Sequence, residues 1–290
     1  MSKTSKISYT KFHGLSNDFI VTNGRKLDGK LGGFAQSICE RHTGVGADGL
    51  LIVQKPRNTN NHARVYFFNA DGSEAEMSGN GIRCAGAFLI RENPRRKVLR
   101  VETASGVKSL EVLSTSAQMN KGKWAFRVNM GRPILEPEKI PFAGGQHPSP
   151  VIGYPVRTAH GVLAATVTSM GNPHCSIFVE DYSSIPWEDV GREIERNALF
   201  PNRTNVEFVR VISKKEIEVR YWERGVGKTM SSGTGSCGAV VACILNGFTR
   251  RAVRVRTLAG TLEVAWPKDG EVLLSGPAEL ITDGVYYPPR

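Results

Sequence analysis

Two serines stand at the start of glycine-rich turns that lead into apolar runs: Ser78 in Met77-Ser78-Gly79-Asn80-Gly81 and Ser232 in Ser231-Ser232-Gly233-Thr234-Gly235. A helix N-terminus entered through glycines exposes unpaired backbone N–H groups and the positive end of the helix dipole, so it attracts a carboxylate or a phosphate. Two such termini facing one another across a cleft would make a strong anion site. Serine at a helix start is also commonplace as an N-cap, and that role needs no chemistry.

Dinucleotide binding is the first competing reading, because Gly44-Val45-Gly46-Ala47-Asp48-Gly49 and Gly233-Thr234-Gly235-Ser236-Cys237-Gly238 both satisfy G-x-G-x-x-G. Context argues against both. The first follows a helical pattern and precedes a strand, the reverse of a dinucleotide-binding turn, and the second lacks an acid where the ribose would be held. Gly225-Val226-Gly227-Lys228-Thr229 resembles the end of a phosphate loop, but Trp222 stands where that pattern needs glycine. No His-x-x-x-His or carboxylate cluster has metal spacing, and His174 beside Cys175 reads as a structural histidine. No metal and no cofactor is expected. The 5 cysteines are odd in number and form no Cys-x-x-Cys pair, which argues against a disulfide scaffold or a zinc ribbon.

The elements that must position these turns follow from hydrophobic periodicity. Ile7 to Asn23 mixes a strand pattern with the polar turn Gly14-Leu15-Ser16-Asn17-Asp18. Leu31 to Arg41 has helical spacing, Leu50 to Val53 reads as a buried strand, and Val65 to Phe68 runs into the turn Asn69-Ala70-Asp71-Gly72. After the first serine turn, Ile82 to Ile90 is helical. Strand patterns follow at Val98 to Thr103, Val107 to Leu113 and Ala125 to Met130. Glu136 to Pro155, rich in Pro and Gly, is the candidate boundary or long surface connection. The second half repeats the outline, with strands at Ala164 to Ser169, Ser176 to Val179, Val206 to Val211 and Ile217 to Trp222, then the helix Cys237 to Leu245. One serine turn in each half, each between a strand and an apolar helix, predicts a duplicated unit.

At 290 residues and 40% hydrophobic the chain suits two domains. Its net charge of +11 is spread over scattered Lys and Arg without interleaved aromatics, so no nucleic-acid partner is expected. Met1 to Thr10 carries Lys3 and Lys6 but no apolar leader, and no later stretch is long enough to span a bilayer. A cytoplasmic protein with no membrane partner is the expectation.

Several blocks, in order, resemble the diaminopimelate epimerase family over nearly the full length: Gly14-Leu15-Ser16-Asn17-Asp18-Phe19, Arg41-His42-Thr43-Gly44-Val45-Gly46-Ala47-Asp48-Gly49, and Asn69-Ala70-Asp71-Gly72-Ser73-Glu74-Ala75-Glu76-Met77. Further on come Gly171-Asn172-Pro173-His174, Asn205-Val206-Glu207-Phe208-Val209, Glu223-Arg224-Gly225-Val226-Gly227 and Gly276-Pro277-Ala278-Glu279-Leu280. The resemblance implies an α/β (α+β) fold of two pseudo-symmetric domains, each a mixed β-sheet or barrel wrapped around a central helix, with the active site in the cleft between them. The domains would span residues 1–135, joined by a returning segment of about 277–290, and residues 136–276. It also implies a homodimer acting on a small amino acid without pyridoxal phosphate or metal, interconverting LL- and meso-2,6-diaminopimelate by proton exchange at Cα.

In the family a cysteine at each helix N-terminus flanks the substrate Cα. The matching positions here are Ser78 and Ser232, with His174 and Glu223 as the pair that sets the protonation of the catalytic groups. Substrate contacts carried over by position are Asn17, Asn69, Gly79, Asn80, Asn172, Asn205, Glu223, Arg224, Gly233 and Thr234. Arg224 would pair with a carboxylate bidentately, and Asn172, Asn205 and Glu223 would hold the amino groups. Lys228, where the family has a glutamate, and Gly49, where some members have a glutamine, depart from the pattern.

The serines pose an energetic problem. A thiol ionises near ~8.5, whereas a hydroxyl as weak as water at ~15.7 leaves a gap of about seven units, on the order of 10 kcal/mol. A helix dipole supplies only ~1–2 kcal/mol. Serine therefore needs its own general base, a task open to His174 or Glu223. Cys84 and Cys237 lie too far along their helices to substitute and read as core. Three functions stay open at this level: a Ser-for-Cys epimerase of this family, another racemase, dehydratase or tautomerase using Lys228 or Glu223 as base, or an amino-acid-binding homologue without catalysis.

Overall fold

Alternation of apolar and polar residues sets most of the strands, and Lys123–Gly131 shows how: Trp124, Phe126, Val128 and Met130 point inward and the residues between them outward. The computed structural model describes residues 6–24, 31–145, 147–268 and 270–289. Met1 to Ser5, half of the segment read above for a leader, lie outside the described residues. The chain divides into a unit of residues 1–128 and 276–290 and a unit of residues 129–275.

In the first unit the elements are β1 (Ile7–Gly14), β2 (Asn17–Asn23), α1 (Leu31–Cys39), β3 (Gly49–Gln54), β4 (Ala63–Asn69), β5 (Glu74–Ala75), α2 (Gly79–Glu92), β6 (Val98–Thr103), β7 (Gly106–Val112), α3 (Ser116–Asn120) and β8 (Lys123–Gly131). β1 pairs with β2, β2 with β3 in parallel, β3 with β4, β4 with β6 in parallel, β6 with β7, and β7 with β8. The last strand, β17 (Val272–Tyr286), closes the ring through its later residues, bonding β8 on one side and β1 on the other. An eight-stranded barrel results. α2 lies within it, and its residues from Gly79 to Ala87 are all buried, the polar Asn80 and Arg83 among them. α1 packs Ala35 and Ile38 against Ile20, Leu50, Ile52 and Phe68.

The second unit repeats this scheme. Its elements are β9 (Val151–Thr158), β10 (Gly161–Ser169), β11 (Pro173–Phe178), α4 (Trp187–Glu195), β12 (Asn205–Ser213), β13 (Glu216–Glu223), β14 (Gly227–Thr229), α5 (Gly233–Leu245), β15 (Ala252–Thr257) and β16 (Gly260–Ala265), followed by the first residues of β17. The run β10 to β13, then β15, β16 and β17, pairs in the same sense at every step as β1 to β4, then β6, β7 and β8, including the two parallel pairings. α4 takes the place of α1, and α5 that of α2. The core of this unit joins Val190 and Ile194 of α4 to Cys175, Ile177, Val206, Phe208 and Trp222.

The duplicated unit expected from the serine turns is therefore present as a repeat of topology. The units divide inside β8 and β17, where the strands continue unbroken, and the Pro- and Gly-rich stretch from Glu136 falls within the second unit. That stretch holds one short turn at Pro137–Lys139 and the start of β9, a strand hidden from periodicity by Gly153 and Pro155. Helix α4 and strands β14 to β17 likewise went unread. Both central helices begin earlier than their apolar runs, at Gly79 and Gly233, because the serines cap them.

Phe126 is fully buried beside Gly86 of α2, which has no room for a side chain there. Phe126→Ala is expected to lower the unfolding free energy by about 3–5 kcal/mol, because the barrel wall around α2 relaxes only partly into the space left. Urea unfolding of the two chains measures it.

Candidate active site

Each central helix starts in the same way. Ser78 has extended backbone dihedrals and its Oγ accepts the N–H of Gly81 at 3.1 Å; Ser232 does the same, accepting from Gly235 at 3.2 Å. The hydroxyls are thus acceptors toward their own helices, and each keeps its O–H to donate. Ser78 is half-buried and Ser232 buried.

In the first unit, the residues around Ser78 are held by a two-residue hairpin turn. Leu15 and Ser16 adopt φ of 55° and 64°, the mirror-image turn that matches the twist of paired strands. Non-glycine residues resist this region, so other contacts must hold it. Asp48 does so: its Oδ2 accepts from Asn17 Nδ2 at 2.9 Å and from the Asp18 N–H at 3.0 Å, while Asp18 Oδ1 accepts the Asp48 N–H at 2.9 Å. Lys11 and Arg41 pair with Asp18.

From this clamp a chain of side chains runs to the helix. Asn80 Nδ2 donates to Asn17 Oδ1 at 3.2 Å, and Arg83 Nη2 donates to Asn80 Oδ1 at 2.8 Å. Arg83, fully buried, also donates to the carbonyls of Gly79 and Pro277. Because Asp48 can only accept, the orientation of each amide along the chain is fixed. Asn17, Ser78, Gly79 and Asn80 are brought together. Asn69 is exposed and its amide bonds Ser73 within its own turn.

The second unit organises its residues differently. His174 is fully buried, with Nδ1 2.6 Å from Glu207 Oε1 and Nε2 3.1 Å from Asn172 Oδ1; Asn172 Nδ2 lies 3.5 Å from Thr234 Oγ1. Asn205 donates to the Pro173 carbonyl and accepts the N–H of Arg224, so its amide ties the start of β11 to the turn after β13. Buried Glu195 of α4 secures that turn, accepting from the Gly225 N–H and from Trp222 Nε1.

Glu223 is half-buried, accepts from Thr229 Oγ1 at 2.6 Å and faces the Ser232 hydroxyl. Burial raises its pKa above the ordinary carboxylate range, against the pull of these hydroxyls. Asn69 closes β4 in the first unit as Glu223 closes β13 in the second, so an amide in one repeat stands where the other has a carboxylate. The Tyr221 hydroxyl donates to Ser236 Oγ, which donates to the Ser232 carbonyl and fixes the helix start.

The glycine patterns have a structural meaning. Gly46, in the first, turns the chain after α1 at φ of 76°. Gly238, last of the second, passes so close to His174 that a Cβ would sit 2.9 Å from its Cγ. Cys84 and Cys237 are fully buried, and burial pushes the Cys84 thiol up to about 12, which fits a packing role. Lys228 is exposed and committed to an ion pair with Glu188 at 2.7 Å.

The sequence reading missed Asp18, Asp48, Arg83, Glu195 and Glu207. Asp18, Asp48 and Glu207 stand inside matching blocks, and Glu207 carries its own signal, an acid between the apolar residues Val206 and Phe208. Glu195 had none, because α4 itself went unread.

Burial raises the pKa of the Asp18 carboxyl, but Lys11 and Arg41 outweigh it and hold the group below its ordinary value. A carboxylate with a depressed folded-state pKa stabilises the fold fully above the unfolded value of ~3.9, and this is lost as pH falls through the lower folded value. Urea unfolding should therefore show stability falling below about pH 4, and Asp18→Asn should flatten that acid limb. An unchanged limb would refute the clamp.

The family model for diaminopimelate epimerase matches residues 9–135 and 166–281. A diaminopimelate epimerase of Pelotomaculum thermopropionicum is 45% identical over 96% of this chain and 98% of its own length. One of Halothermothrix orenii is 43% identical over 96% and 97%. Among solved structures, a hydroxyproline epimerase of Agrobacterium vitis holding trans-4-hydroxy-L-proline superposes with a TM-score of 0.65 at 11% identity, covering 97% of this chain and 90% of that one. A methylitaconate-delta-isomerase superposes at 0.64 with 15% identity over 99% and 97%; at such identities the likeness speaks for the fold alone. The family model and full-length identity of this order place the chain in the diaminopimelate epimerase family.

Proposed function

We propose that this chain interconverts LL- and meso-2,6-diaminopimelate, with Ser78 and Ser232 in the positions of the proton carriers. The observation that carries the reading is the pair of serine caps: each central helix presents a hydroxyl beside backbone N–H groups suited to a carboxylate. Gly79, Asn80, Gly233 and Thr234 form those helix starts, and Asn17, Asn69, Asn172, Asn205, Glu223 and Arg224 complete the substrate contacts. Arg224 offers its guanidinium to a carboxylate; Nη1 donates to the Asn202 carbonyl at 3.3 Å, and Asn205 holds the backbone N–H of the same residue.

Inversion at Cα needs a base on one face of the carbon and an acid on the other. A bare serine alkoxide is out of reach by the energies above, but Ser232 can pass its own proton to Glu223 as it takes one from Cα. The effective base is then a carboxylate of raised pKa. Ser78, with an amide at the equivalent place in its unit, is suited to donate. His174 acts with Glu223 in setting the protonation of the carriers.

The reading extends to a homodimer in the cytoplasm. Exposed Ile281, Val285 and Tyr287 at the end of the chain support self-association, and among the described residues no helix is long and apolar enough to cross a membrane. The ion pair of Lys228 weighs against a lysine-based lyase or tautomerase.

Proton NMR of LL-diaminopimelate in D₂O tests the proposal. The chain should exchange the Cα proton slowly, with a rate that rises with pH as Glu223 ionises and falls in Glu223→Gln. The double variant Ser78→Cys, Ser232→Cys should exchange about a thousandfold faster, because a thiolate replaces the coupled hydroxyl. Silence from both chains would mean another substrate.

A further inference from the structure

Glu207 lies between the buried apolar residues Val206 and Phe208 of β12 and is only 1% exposed. An acid so placed is costly unless its hydrogen bonds are complete. Parallel pairing of β11 and β12 sets His174 beside Asn205 and Ser176 beside Glu207, and the period of the strands puts these four side chains on one face. There Oε1 of Glu207 meets His174 Nδ1 at 2.6 Å, and Oε2 lies 3.4 Å from Ser176 Oγ. Cys175 on β11 and Tyr221 and Glu223 on β13 are the other titratable groups within electrostatic reach of Glu207.

The protons in this chain can be placed by donor and acceptor capacity. Asn172 Oδ1 accepts only, so the Nε2 that meets it at 3.1 Å carries a hydrogen. A second proton is held in the contact between Nδ1 and Glu207, and the pair is neutral as a whole whichever partner bears it. The ring cannot swing away, because it lies against the backbone of α5 at Gly238. With its carbonyl committed to His174, the Asn172 amide turns its NH₂ group the other way, where Nδ2 lies 3.5 Å from Thr234 Oγ1 in the first turn of α5.

We infer that Glu207 is a positioning residue for the proposed reaction: acting through His174, it fixes the Asn172 amide so that its NH₂, and not its carbonyl, faces the substrate beside Thr234. The inference rests on the reading of Asn172 as a substrate contact. It changes what that contact recognises: an outward donor meets a substrate carboxylate, where the family resemblance assigned Asn172 to an amino group. Without Glu207, His174 can carry its hydrogen on Nδ1 and offer a bare Nε2. Asn172 would then turn over to donate to it and present a carbonyl to a carboxylate, a repulsive pair.

The test combines histidine spectroscopy with binding. In the ¹H–¹⁵N spectrum of the full chain with labelled histidine, near neutral pH, His174 should show a hydrogen on Nε2, assigned by its loss in His174→Gln. Glu207→Gln can donate its amide to Nδ1 and should keep both that signal and the affinity for LL-diaminopimelate within about twofold. Glu207→Leu should lose the signal and bind about tenfold more weakly, the size of one misdirected polar contact.

A wild-type spectrum with the hydrogen only on Nδ1 overturns the inference, as does a folded Glu207→Leu that keeps signal and affinity. Should Glu207→Leu not fold, the wild-type and Glu207→Gln spectra decide: Nε2–H in both supports the inference, and its loss in Glu207→Gln refutes it. Should LL-diaminopimelate bind none of the chains, the substrate reading fails, while the spectra still decide the placement of the proton.

Discussion

A helix that begins inside a barrel brings with it N–H groups that its own turns cannot satisfy, and burial makes each of them expensive. Both central helices of this protein face that constraint and meet it in the same way. A serine in extended conformation accepts one N–H, and the glycines around it keep the backbone close to its surroundings. What remains is a patch of oriented backbone donors with a hydroxyl at its edge. The rest of each unit holds that patch in place: the barrel wall fixes the helix, and the hairpin or turn beside it carries the polar side chains.

The two repeats share a scaffold but not an electrostatic character. In the first, the chain from Asp48 through Asn17 and Asn80 to Arg83 ends on a buried cation, and the residue closing β4 is an amide. In the second, Glu195 is a buried carboxylate, Glu207 shares a proton with the buried His174, and Glu223 closes β13. A cation and neutral amides favour a group that gives up a proton; a carboxylate of raised pKa favours one that takes it. The same strand order thus carries a cation and amides in one unit and acidic groups in the other.

Much of the site was written in local sequence. Ser78 and Ser232 could be singled out because the glycine turns and the apolar helices lie next to each other along the chain, and capping is a local interaction. The strands with clean alternation, such as β8 and β6, were legible for the same reason. β9, interrupted by glycine and proline, and α4, short and strongly polar on one face, were not. β9 is defined by its pairing with β10, the strand that follows it directly, and α4 by packing against Phe208 and Trp222 further along the chain.

By itself the sequence determined the repeat, the location of the two serine turns, the family and the exclusion of a dinucleotide loop, since each follows from residue types at fixed short spacings. Only the tertiary structure decided what those residues can do. Pairing of β11 with β12 brings Glu207 onto His174, and packing on Gly238 leaves that ring one orientation. Folding likewise commits Asn205 to Arg224, Asn69 to its own turn and Lys228 to Glu188. Hydrogen-bond direction and desolvation depend on neighbours that are distant in sequence, so the role of an amide or a carboxylate is settled only once the barrel has closed around it.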